Sequence, residues 1–177
     1  MDARLAIASK RDHRDFDPRP IPQDVLDGIL DAGRLAGSAR NRQPWRFFVA
    51  ADPGSRAGLA RCVYAPRTVS TAAAAVAIAV RLGGSTLGGF DAGRAAQNMM
   101  IAAWSEGVAS CPNGIADAEA ARAALLVDED ETPLIVISLG YPARSRDPAR
   151  RSADEWSASA ARLALDRFVV TLAEAAP

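Results

Sequence analysis

Pro133-Leu134-Ile135-Val136-Ile137-Ser138-Leu139-Gly140 is a continuous apolar run bounded by turn residues, and it reads as the clearest buried strand of the chain. Working outward from it, Asp117 opens a helix that ends near Val127. Residues 107–115 hold a short strand and a turn at Pro112-Asn113-Gly114. Ala95, Met99, Ala102 and Ala103 recur at helical spacing, which predicts a long helix from Phe90 to about Glu106. Ala75 to Val80 alternates valine and isoleucine with alanine and reads as a second strand. Trp45 to Ala51 reads as a third. Asp52 followed by Pro53 is an N-cap and first-turn pair that opens a helix to about Val63; Ala65 to Ser70 reads as irregular. Pro22 starts a helix with Val25, Leu26, Ile29 and Leu30 on its apolar side, ended by Gly37. Residues 2–10 form a short first helix. Residues 81–89, with four glycines, read as a loop, and residues 141–155 as a polar, arginine-rich arm. A last helix is predicted over about 158–173, burying Leu163, Phe168, Val169 and Leu172. Strands interleave with helices, so the expectation is a single α/β or α+β domain over 1–177.

The 177 residues carry 21 basic and 21 acidic side chains, a net charge of zero. A main partner made of nucleic acid is disfavoured, because neutralising phosphates takes a basic surplus. The longest weakly polar run, Val69 to Val80, is short of the roughly 20 residues of a spanning helix. No export signal is read at the N-terminus, so the expected location is the cytoplasm. Cys62 and Cys111 have no metal or disulfide spacing, and His13 is the only histidine, so no metal site and no Ser-His-Asp triad is expected. Twenty arginines stand against one lysine, Lys10. A single arginine is therefore no signal by itself; its position has to make it one.

Four constellations have such positions. Lys10, Arg11, His13 and Arg14 crowd one short segment with Asp12 and Asp15, a pattern that grips a phosphate dianion or pairs internally in solvent. Ser38, Asn41 and Gln43 offer short neutral donors and acceptors ahead of Trp45, suited to a planar heterocycle or to an ordinary polar loop. Cys111-Pro112-Asn113-Gly114 aims backbone groups from a tight turn, or is a plain surface turn. Arg144, Arg146, Arg150 and Arg151 form a second basic cluster, so that one anion could be held from both sides. Gly83, Gly84, Gly88 and Gly89 match neither phosphate-loop spacing.

Taken in this order, the four constellations resemble the nitroreductase family of FMN-dependent enzymes. The family's opening pattern stands here as Lys10-Arg11-Asp12-His13-Arg14-Asp15-Phe16. Its most specific loop stands as Gly37-Ser38-Ala39-Arg40-Asn41-Arg42-Gln43-Pro44-Trp45. The helix Phe90 to Met100, the segment Ser110 to Gly114 and Leu139-Gly140-Tyr141-Pro142 also look like the family's, so the likeness covers about residues 3–156. The resemblance implies an α+β fold with a central, mostly antiparallel sheet flanked by helices. It implies an intertwined homodimer with FMN at the subunit interface. Lys10 and Arg14 would face the FMN phosphate and pyrimidine edge, with Arg11 and Asp12 beside them. Ser38, Ala39 and Asn41 would reach FMN from the partner subunit. Pro112, Asn113 and Gly114 would border the flavin, and Arg150 with Arg151 would close on the phosphate. The region of Arg67 would supply another polar contact.

The implied activity is NAD(P)H oxidation in a ping-pong cycle: NADH or NADPH delivers hydride to the flavin and leaves, and a nitroaromatic, quinone or similar flat acceptor takes it. No protein side chain is then needed as a catalytic residue, because the flavin carries the chemistry. Two positions depart from the pattern. Asp12 stands where serine is common and is expected to bond ribityl hydroxyls or pair with an arginine. Asn113 stands where an acidic residue is common. Asp12 beside arginine also resembles the branch that fragments reduced FMN to dimethylbenzimidazole, the second enzyme reading; a flavin-binding protein without turnover is the third. His13 is expected to be solvated or salt-linked.

Overall fold

The computed structural model describes residues 1–81 and 87–172. The described residues form two compact units, one within residues 10–146 and one of residues 1–9 with 147–172. The larger unit is built on a four-stranded antiparallel sheet. Its strands are β1 (Trp45–Ala50), β2 (Ala74–Arg81), β3 (Ala109–Gly114) and β4 (Glu131–Gly140), in the order β1-β2-β4-β3. The expected α+β class is the one observed.

β2 and β4 are central, and this explains why they read as unbroken apolar runs. Both faces are covered, so most positions are apolar, and the buried Ser138 is met by a hydrogen bond from Asn113. Val76, Ile78, Val80, Ile137 and Leu139 face one core, together with Leu26, Ile29, Ala95, Met99 and Ala103. Those residues come from α2 (Gln23–Arg34) and α5 (Gly88–Ser105). Ala75, Ala77 and Val136 face a second core with Leu59, Val69 and Leu125. These belong to α3 (Pro53–Ala60), α4 (Pro66–Ser70) and α6 (Ala118–Leu125). The sheet register shifts between Ile78 and Ala79, opposite Pro133. A proline cannot donate to the ladder, so a bulge is where a central strand tolerates one.

The local signals act as read at two helix starts. The Asp52 carboxylate accepts from Ser55 N, and that of Asp117 from Ala120 N. Three readings need correction. Residues 66–70, expected to be irregular, form α4. Pro112-Asn113-Gly114 lies within β3 and is not a turn; an edge strand accommodates the missing proline N–H. The helix expected over 158–173 does not form. In its place α7 spans Ala153–Ala158, and a single 3-10 turn follows at Leu165–Arg167. Leu163, Leu165, Phe168, Val169, Val170 and Leu172 are exposed. Without a surface to bury them, a short isolated segment gains too little from helix formation. Of the glycine-rich segment, Gly83 and Gly84 lie outside the described residues, while Gly88 and Gly89 begin α5.

The smaller unit contains α1 (Ala3–Ser9), α7 and a 3-10 turn at Pro148–Arg150. A reciprocal capping box of Ser152 and Glu155 starts α7. The Trp156 indole N–H donates to Pro148 O at 2.8 Å, which locks the turn to the helix.

α2 and α5 are in close contact at Gly33, where a Cβ would overlap the buried Met99 side chain. Gly33→Ala is expected to lower stability by about 1–3 kcal/mol despite alanine's better helix propensity. The check is the urea midpoint measured on the purified variant.

Candidate functional site

The segment after α1 is held to the sheet by its backbone. Asp12 bridges Ser110 at the β3 edge, and His13 N donates to Ser110 O at 3.1 Å. Farther on, Phe16 bridges Pro142, Asp17 N donates to Tyr141 O at 2.8 Å, and Ala143 N donates to Asp15 O at 3.2 Å. Gly140 permits this approach, since a Cβ there would press to within 3.0 Å of the Phe16 ring. The chain thereby lays its first basic cluster against the loop that leaves β4. Arg11, Asp12, His13, Arg14 and Asp15 on one side, with Ala143, Arg144 and Arg146 on the other, line a cavity of about 550 Å³.

Both carboxylates of that lining are engaged by cations outside it. Lys10 Nζ, nearly buried, pairs with Asp12 and also lies 3.5 Å from Met100 Sδ. The cation that pairs with Asp12 here is a lysine two residues away. Arg67 of α4 approaches Asp15 at 3.7 Å. With these carboxylates met, four guanidinium groups set the sign of the cavity. Arg11 further donates to Lys10 O at 2.8 Å, which orients its fork.

His13 is half-buried. Its ring stacks on the buried Trp104 of α5, with centroids 5.7 Å apart, and its Nε2 is buried without a hydrogen-bond partner. Burial, and after it Arg146 and Lys10, hold the imidazole below its usual pKa. Cys111 on β3 is also buried. Burial and then Asp12 push its thiol up, against the opposing pull of Arg14 and Lys10. It stays a protonated thiol and has no nucleophile's character.

The Asn113 amide nitrogen is engaged by the protein, while its Oδ1 is buried without a partner. Its Nδ2 donates to Cys111 O at 2.9 Å, Val136 O at 3.1 Å and Ser138 Oγ at 2.9 Å, beneath the surface of the sheet. Gly114 packs against the Tyr64 ring, 3.3 Å from where a Cβ would be. Ser38 is likewise used locally, its Oγ accepting from Gln43 N at 2.8 Å. Ala39 N donates to the buried Asp91 of α5. The loop between them is strained: Arg40, Asn41 and Gln43 all have φ near +50°, a region costing side-chain-bearing residues about 1 kcal/mol or more each.

The 38–43 loop and the 10–14 segment do not meet in one chain. The loop enters β1 at Trp45, across from Val80 and, beyond it, Thr132. The segment bridges Ser110, across from Leu139 and then Ala74. These are opposite edges and opposite ends of the sheet. α5 gives the distance: Asp91 near its start holds the loop, while Met100 and Trp104 near its end contact Lys10 and His13. At 1.5 Å per residue those contacts are about 14–20 Å apart. Arg150 and Arg151 belong to the smaller unit, where Arg151 stacks over Trp156 at 5.1 Å. Arg144 and Arg146 were visible in sequence as basic residues; only the pairing of Phe16 with Pro142 singles them out from their neighbours.

A model of the Nitroreductase family matches residues 7–83 and 63–141, and the chain belongs to that family. Its members are FMN-dependent oxidoreductases. A "Putative NADH dehydrogenase/NAD(P)H nitroreductase" of Methanothermobacter thermautotrophicus is 28% identical over 169 residues, covering 88% of each chain. A nitroreductase family protein of Clostridium difficile 630 superposes with a TM-score of 0.83 at 20% identity, over 97% of this chain and 100% of that one. An FMN-dependent nitroreductase of Clostridium difficile R20291 gives 0.75 at 21% identity, over 85% and 95%. The last two likenesses concern the fold.

Asn113→Asp sets a carboxylate where three acceptors need a donor. The expected loss is about 1–3 kcal/mol of stability at pH 7. The folded-state pKa of the new carboxyl is raised above its unfolded value near 3.9, so the deficit is present at neutral pH and fades as pH falls through the raised value. Urea unfolding of variant and wild type at pH 7 and pH 4.5 measures it.

Proposed function

We propose that this chain is an FMN-dependent NAD(P)H oxidoreductase that works as a homodimer in the cytoplasm, with nitroaromatics, quinones or similar flat molecules as acceptors in a ping-pong cycle. The observation that carries the dimer is the distance between the two motifs. Neutral heterocycle-binding groups and phosphate-binding cations occupy opposite corners of one sheet, so a common ligand needs the loop of a second copy. The exposed apolar side chains of residues 163–172 supply a surface for that copy to cover. Two free cysteines fit a reducing compartment. Among the described residues, no helix is long and apolar enough to cross a membrane.

The residues fit FMN. A cavity lined by four arginines suits a phosphate dianion, whose charge-assisted bonds to guanidinium are among the stronger ones available. Arg11, Arg144 and Arg146 would hold that phosphate, while Arg14 would stand toward the pyrimidine edge. FMN, when bound, supplies the hydride chemistry that the chain's own side chains lack. Arg14 stabilises negative charge gathering beside it and thereby favours the reduced cofactor. Lys10 neutralises Asp12, which otherwise repels a phosphate. Asn41 and Ser38 of the second copy would orient the heterocycle, the strain in their loop fixing their direction before binding.

The test is the visible spectrum of the purified protein, followed by anaerobic NADH or NADPH. A yellow protein that bleaches with either donor, and regains its colour with a quinone or nitroaromatic, is the expected result. A colourless protein that takes up no added FMN overturns the reading; so does bound flavin that neither donor reduces. Loss of flavin during aerobic turnover points to the fragmenting synthase.

Arg14→Ala and Asn41→Ala are each expected to weaken FMN affinity at least about tenfold, equivalent to about 1.4 kcal/mol, with the fold intact. Mixed dimers of the two variants contain one doubly damaged and one intact site. They are expected to recover flavin to about half the wild-type content, whereas a site built within one chain recovers none.

A further inference from the structure

His13 has no part in the function proposed above, yet it sits within the same cavity. The guanidinium groups around it keep their charge, since arginine does not titrate in proteins. Its own segment supplies Lys10, Arg11, Asp12, Arg14 and Asp15, and the loop after β4 supplies Arg144 and Arg146. β3 contributes the protonated Cys111 thiol, and α5 contributes the uncharged Met100 and Trp104. Imidazole is therefore the one group of the cavity whose charge can change near pH 7. Its Nε2 is buried and unsatisfied, so the ring is also short of a hydrogen-bond partner.

We propose that His13 is the proton-linked contact of this cavity, taking up a proton from solvent when a phosphate dianion binds among Arg11, Arg144 and Arg146. The inference rests on the FMN reading for the identity of the phosphate, and on the cavity alone for its chemistry. No bond of the ligand changes; the balance is one proton moved from solvent to the ring. Without an anion the ring is neutral, because burial and the surrounding cations oppose a further positive charge. A dianion reverses the local field and thereby favours the protonated ring. By linkage, anion affinity rises as pH falls between the His13 pKa of the free protein and the higher value of the complex, by at most about tenfold per pH unit. Alkaline conditions favour release.

The chain has one histidine, so its imidazole proton resonances in untagged protein report this residue alone. They are followed from pH 5 to 8.5 in four samples: no added anion, saturating sulfate, FMN, and riboflavin, which lacks the phosphate. The midpoint without anion is expected below the usual value near 6.5. Sulfate and FMN are expected to raise it by half a unit or more, and riboflavin to leave it in place. Arg146→Gln is expected to raise the anion-free midpoint and to shrink the sulfate shift. His13→Gln is expected to retain FMN binding but to flatten its dependence on pH between 6.5 and 8. An unchanged midpoint under saturating sulfate and FMN overturns the proposal, even in a yellow, active protein. A protein that binds no flavin while sulfate still moves the midpoint supports the cavity's role and separately overturns the FMN reading.

Discussion

The backbone pairing of Asp12 with Ser110, continued by Phe16 with Pro142, is the contact on which the candidate site depends. It converts a charged, turn-rich segment into a wall of a cavity. Without it Lys10 to Asp15 would be a solvated charge run, which their composition alone describes equally well. Gly140 makes the pairing sterically possible, because the Phe16 ring fills the space of a side chain there. The loop after Gly140 is then obliged to run beside the first basic cluster, and Arg144 and Arg146 come with it.

Charge within that cavity is organised in two layers. Lys10 and Arg67 lie outside and engage the carboxylates, leaving guanidinium groups to define the interior. The cost of gathering like charges is tolerable while the cavity opens to solvent, where water screens them. It would fall further with an anion present. Burial first, and this field after it, hold the single histidine below its usual pKa, and burial keeps a thiol protonated against the pull of two cations.

Much of the fold was legible because it rests on local rules. Asp52 and Asp117 cap helices, and β2 and β4 are apolar on both faces because helices cover both. Readings failed where a neighbour decided the outcome. Pro112-Asn113-Gly114 has turn chemistry, yet it is a strand because β4 offers it a ladder and Asn113 finds three acceptors inside the sheet. Residues 158–173 have the apolar spacing of a helix, but within one chain they have no surface to cover. His13 looked like one more polar residue in a charged run, and only the position of Trp104 gives it a stack and a buried nitrogen.

By itself, the sequence determined the α+β class, the ends of most elements, the family and the two motifs. These follow from spacing, capping and short runs of residues, which act over a few positions of chain. Tertiary structure decided which arginines join the first cluster, that Asp12 answers to Lys10, and that the two motifs lie on opposite corners of the sheet. Those outcomes depend on strand order and register, which bring together residues more than a hundred positions apart and part others fewer than thirty apart.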